Sequence, residues 1–298
     1  MALDQEAGSA LPVRTSRYRR TGRHSSPHQL SLPSDAPALV IAVPGAANPV
    51  SDDIAYGVAN LASSSCPGAD VRIGYVGGRK HHLAEVLHDV LGEGRPPAVI
   101  VPLLAFPHPE TDAAIARIAS TAGGPVVVAG HLGPHPLLAE AVHVRLAEAG
   151  LARAGRAGRI SIVTAADGLI VGAAGNQVTV QAAGVVAVLM ASRLTLPVAP
   201  ASLTDQGSLM EATNQLRAAR VARVAVAPCV IGPELPPGTL EAITARTGAA
   251  CARPLGGHPT VGQLVAIRYG AALADPRMAS ITGLQLGVPT DPEVLARR

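Results

Sequence analysis

After Pro37 short apolar runs alternate with longer stretches whose apolar residues recur at helical spacing. ALVIAV (38–43), VRIGYVG (71–77), AVIVPLLAF (98–106) and PVVVAG (125–130) are continuous and rich in β-branched residues. Runs of this kind read as strands buried on both faces of a parallel sheet. Between them the pattern predicts helices. One runs from about Asp52 to Ser65, and HLAEVLHDVL (82–91) carries Leu83, Val86, Leu87, Val90 and Leu91 on one face. TDAAIARIASTA (111–122) follows, with Thr111 or Asp112 as N-cap. HPLLAEAVHVRLAEAG (135–150) closes on Gly150. This alternation predicts an α/β fold built on a doubly wound parallel sheet.

The pattern then repeats. Gly133, His135, Pro136, Val142, Arg145 and Ala149 match Gly256, His258, Pro259, Val265, Arg268 and Ala272, at an offset of 123 throughout. VIVPLLAFPH (99–108) aligns with AVAPCVIGPE (225–234), which sets His108 opposite Glu234. RISIVTAADG (159–168) answers ALVIAVPGAA (38–47) as opening strand and loop. The reading is two homologous lobes, 37–152 and 158–275, joined by LARAGRAGR and followed by an extension, 276–298.

Composition narrows the function. Apolar residues make up 48% of the 298 residues, enough for a large core, but aromatics only 2%. With no Trp and one Phe, the chain lacks the stacking platforms of single-strand nucleic-acid binders. The net charge is +3, of which +2 lies in residues 1–36. That Ser-, Arg- and Pro-rich segment is expected to be a disordered basic tail. Its RTSRYRRTGR stretch suits an acidic partner, and the body does not suit nucleic acid. Cys66, Cys229 and Cys251 form no CxxC pair, which fits a reduced cytoplasm. Neither a membrane span nor a secretory leader is expected. GLIVGAAG (168–175) is read as a glycine-rich loop without the GK[ST] ending of a P-loop, and no GxSxG elbow occurs.

Ligands of open parallel sheets bind beyond the carboxyl ends of the strands. The loops there are PGAANPVSD (44–52), GGRKHH (77–82), AFPHPETD (105–112) and GHLGPHP (130–136). Their second-lobe counterparts are TAADGLIVGAAGNQ (164–177), DQGS (205–208), IGPELPPG (231–238) and LGGHP (255–259). His135 and His258 precede Pro in matched loops and read as scaffold, His131 follows a strand directly, and His88 and His143 read as surface residues of helices. Glu234 reads as a solvated loop acid.

The duplication, the VPLL strand before a histidine-bearing loop and the LGxHP loop before each last helix together resemble the class II tetrapyrrole chelatases, of the sirohydrochlorin chelatase or CbiX type. The resemblance spans about residues 38–273. It implies a lyase that inserts Co²⁺ or Fe²⁺, as substrate and with no organic cofactor, into a carboxylate-rich tetrapyrrole of siroheme or cobalamin biosynthesis. It places one histidine in an HGS motif after the first strand and another after the third. His108 fills the second place, whereas Pro44, Gly45 and Ala46 stand in the first. Gly77 and Gly78 stand where the family often has an acid. The expected site is therefore His108 as base and metal ligand, with His81 or His82 rebuilding the metal pair. Arg79 and Lys80 are expected to meet substrate carboxylates, and Pro44, Gly45 and Ala46 to line the cleft. The alternative is a relative that has lost the metal pair and carries a tetrapyrrole or metal, or serves a partner.

Overall fold

The structure, a computed structural model, describes residues 32, 36–92, 96–152, 166–276 and 278. Expectations for the rest of the tail, most of the linker and residues 159–165 fall outside the described residues. So does most of the C-terminal extension. The first lobe runs β1 (Ala38–Val43), α1 (Pro49–Ser65), β2 (Val71–Tyr75), α2 (Leu83–Val90), β3 (Ala98–Pro102), α3 (Pro109–Ser120), β4 (Val126–Val128) and α4 (Pro136–Glu148). The second runs β5 (Gly168–Ala173), α5 (Gln177–Leu194), β6 (Val198–Ser202), α6 (Gln206–Ala218), β7 (Val224–Pro228), α7 (Thr239–Thr247), β8 (Ala250–Cys251) and α8 (Pro259–Leu273). Each lobe has one parallel sheet, in the orders β2-β1-β3-β4 and β6-β5-β7-β8.

The opening strand of the second lobe is a correction. RISIVTA lies outside the described residues, and GLIVGA is not a loop: residues 168–173 form β5, buried throughout and paired with β6 and β7. The glycines there make room for neighbours. A Cβ on Gly172 would lie 2.2 Å from Leu203 Cδ2, and one on Gly168 would lie 2.5 Å from Val221 Cγ1. DQGS is likewise the start of α6, with Asp205 as N-cap.

Strand residues divide with period two. Leu39, Ile41 and Val43 enter one cluster, and Ala38, Val40 and Ala42 enter another under α2 and α3. Leu169, Val171 and Ala173 join the first cluster from the other lobe. Burying one such side chain contributes about 1.5–3 kcal/mol. This central core belongs to both lobes because their last helices are exchanged. α8 packs on β3 of the first lobe, α4 packs on β7 of the second, and the two helices meet. The α1–α8 and α4–α5 contacts complete a pseudo-twofold arrangement. α5 is long and apolar enough to cross a membrane by length and composition, and in this fold it packs on β5, β6 and α4. Leu32, inside the expected disordered tail, packs against the central core, and the Tyr269 hydroxyl donates to the Pro37 carbonyl at 2.5 Å.

Candidate functional site

The exchanged helices bring the two carboxyl edges together. Thr179, in the first turn of α5, donates to the Pro107 carbonyl at 2.7 Å. The place of a Cβ on Gly45 lies 3.9 Å from the Pro233 carbonyl oxygen. The β1–α1 and β3–α3 loops of one lobe thus abut the second lobe.

The β1–α1 loop is fixed by Asn48, whose side chain accepts from the Val50 and Ser51 backbone N–H groups while Ser51 Oγ accepts from Asn48 N. Pro44 is buried, and Gly45 and Ala46 are exposed. Against this loop lie Gly77 and Gly78, just beyond β2. Gly77 N donates to Gly45 O at 2.8 Å, and a Cβ on Gly78, whose φ is +77°, would fall 2.8 Å from Ala46 Cβ. Backbone occupies the ground between the two places where the family resemblance expects a histidine and an acid.

Lys80 Nζ reaches Asp52 Oδ2 in the first turn of α1 at 3.1 Å, and the buried Tyr75 hydroxyl donates to the other carboxylate oxygen. The Tyr75 and Lys80 hydrogen bonds hold the Asp52 carboxyl below the usual range. Burial, then the bond to Asp52, pushes the Tyr75 hydroxyl up. Lys80 therefore has an internal partner, while Arg79 is exposed at the same rim.

Four histidines at the carboxyl edges are helix N-caps. His82, His108, His135 and His258 each accept a backbone N–H on Nδ1. For α3 this is a correction: the cap is His108 rather than Thr111 or Asp112, and Pro109 takes the first helical position. A neutral imidazole has one N–H and one lone pair, so an Nδ1 that accepts leaves Nε2 protonated. His82 has only the Ala84 N–H on Nδ1, and His135 only that of Leu137, so neither capped ring offers a metal lone pair. His108 differs. Its Nδ1 lies 3.0 Å from Thr111 Oγ1 and 3.4 Å from Thr111 N, so the ring can donate to the hydroxyl and free the lone pair of Nε2. His258 has the same choice through Thr260 Oγ1 at 2.9 Å. Burial, then the Arg268 charge, holds the His135 imidazole below its usual range. Burial, then Arg145, does the same for His258.

His81 and His82 leave the sheet one strand away from His108. They follow β2, and His108 follows β3, with β1 between. His81 is exposed with a φ of +50°. Linked to His108 through Asp112 is His131, just beyond β4. His131 Nε2 is 2.8 Å from Asp112 Oδ1, and Asp112 Oδ2 accepts the His108 backbone N–H at 3.0 Å. Among the described residues no group of three or more His, Cys, Asp or Glu side chains could hold an ion.

Comparison with known proteins gives this arrangement its context. Residues 38–149 match the CbiX family model. The match covers the first lobe, which is thus similar to the CbiX type of class II chelatase. No curated protein matches the sequence. The cobalt complex of the sirohydrochlorin chelatase SirB from Bacillus subtilis subspecies spizizenii is 13% identical, with a TM-score of 0.57 over 80% of this chain and 97% of that one. SirB from Bacillus subtilis with Fe³⁺ is 14% identical, with a TM-score of 0.59 and the same coverage. DR2241 from Deinococcus radiodurans, a multi-domain protein with structural similarity to chelatases, is 17% identical. Its TM-score is 0.58, over 82% of this chain and 56% of that one. These likenesses extend the chelatase fold beyond the first lobe to the second.

That lobe answers His108 with Glu234, which is not a solvated acid. Its carboxylate accepts from Ile231 N at 2.6 Å and Gly232 N at 2.8 Å, folding back into its own loop. Burial pushes its carboxyl up to about 7, against the opposing pull of those N–H groups. His143, expected at the surface of α4, is half-buried.

Proposed function

We propose that this protein inserts a divalent ion, Co²⁺ or Fe²⁺, into a carboxylate-rich tetrapyrrole such as sirohydrochlorin, within siroheme or cobalamin biosynthesis. One observation carries the reading. The first lobe, which carries the CbiX match, holds a histidine, His108, at the sheet's carboxyl edge, and its Nε2 gains a lone pair when Nδ1–H donates to the Thr111 hydroxyl in place of accepting the Thr111 N–H. Insertion must remove two pyrrole protons and deliver a partly dehydrated ion, and imidazole does both near neutral pH. His108 supplies the base and ligand. Arg79, exposed beside the cleft, meets a substrate carboxylate, and Lys80 does so by leaving Asp52. Pro44, Gly45 and Ala46 form the wall on which the macrocycle rests.

A second reading draws on the packed ground between Ala46 and Gly78, where no ligand side chain stands. In it, the protein carries the tetrapyrrole without metallating it. Anaerobic sirohydrochlorin mixed with Co²⁺ or Fe²⁺, with and without protein and followed by absorbance, separates the two. The first reading expects insertion faster than in buffer. Binding of the macrocycle at the uncatalysed insertion rate would instead support the carrier.

A further inference from the structure

We propose that His131, oriented by Asp112, is the second imidazole of the metal site, working with His108. This rests on the chelatase reading and supplies the ligand that the β1–α1 loop lacks.

The argument begins with tautomers. Asp112 is an acceptor when ionised, so His131 Nε2, 2.8 Å from Asp112 Oδ1, is the donor. That leaves the lone pair on His131 Nδ1, which has no hydrogen-bond partner among the described residues. A ring that gives one N–H to a carboxylate and presents its other nitrogen is the usual setting of a metal-ligating histidine. The carboxylate fixes the tautomer and raises the basicity of the ligating nitrogen. His108 meets the same requirement in the tautomer whose Nδ1–H donates to Thr111 Oγ1, 3.0 Å away, in place of accepting the Thr111 N–H.

Topology then favours this pair over others. β3 and β4 are neighbours in the sheet, so the residues after them emerge side by side, whereas β1 separates His108 from His81 and His82. Asp112 joins the pair directly. One oxygen takes the His131 ring and the other takes the His108 main-chain N–H at 3.0 Å. The His131 side chain is 23% exposed, open enough to meet an ion from solvent. Two imidazoles without a third protein ligand suit an ion that must be released, since its other positions stay with water and then with the macrocycle.

The test uses Co²⁺ alone with the full-length protein, read by its ligand-field absorption and by titration. His131→Ala and His108→Ala are each expected to weaken binding at least tenfold. Asp112→Asn, which keeps an oxygen for the His108 N–H, is expected to weaken it about 10–100-fold. His88→Ala, on the exposed face of α2, is expected to leave it unchanged. If His131→Ala does not fold, His131→Gln replaces it under the same expectation. Unchanged affinity in the His131 variant beside a loss in His108→Ala would overturn the proposal and leave the chelatase reading standing. Absence of Co²⁺ binding by the unmodified protein would also overturn it. Binding that depends on both histidines, with no metal insertion, would uphold the pair and remove the chelatase reading.

Discussion

Arg145 and Arg268 occupy the same place in the two lobes, and each closes on the other lobe's loop. Arg145 Nη2 donates to the Leu255 carbonyl at 2.5 Å, and Arg268 Nη2 donates to the Leu132 carbonyl at 3.1 Å. Both carbonyls open an LGxHP loop, so the two-lobed core and the histidine caps are secured by one device used twice. Hydrogen bonds from charged groups contribute about 1.5–3 kcal/mol. Arg145→Ala and Arg268→Ala are each expected to lower stability by about that much, as measured by urea unfolding.

The helices α1 and α8 approach closely because Gly262 has no side chain. A Cβ there would lie 2.3 Å from Leu61 Cβ and 3.3 Å from the Leu61 carbonyl carbon. Forcing the pair apart strains the core shared by both lobes. Gly262→Ala is expected to cost about 1–3 kcal/mol and to lower the thermal midpoint.

The depressed carboxyl of Asp52 depends on Tyr75 first and on Lys80 second. Tyr75→Phe and Lys80→Ala should each move its titration upward, which carboxyl NMR reads directly. Because the folded value is lowered, its contribution to stability is complete above the ordinary Asp value. That contribution is lost as pH falls through the folded one.

Glu234 has the opposite sign. Its folded carboxyl is raised to about 7 from 4.5. Stability linked to it is therefore complete below 4.5 and lost as pH rises towards 7. Unfolding measured across that window should show this loss in the unmodified protein and not in Glu234→Gln.

Much of the fold is legible in the chain because buried parallel strands are continuous apolar runs, as in ALVIAV and AVIVP. The repeat is legible because HP pairs stand at equal offsets. GLIVGA escaped because its glycines are shaped by Leu203 and Val221, partners distant in sequence, and glycine in isolation reads as a loop. The cap on α3 was within reach. His108-Pro109 repeats the dipeptide of His135-Pro136 and His258-Pro259, but histidine is not among the usual capping residues. The bond from Asp112 to His131 had no local signal, since it exists only once β4 lies beside β3.

The most direct measurement is single-turnover Co²⁺ insertion into anaerobic sirohydrochlorin by the unmodified protein and by His108→Ala. The account expects clear acceleration over the protein-free rate, reduced about 10²-fold or more by the substitution. Equal rates in the two proteins, or no acceleration by either, would contradict it.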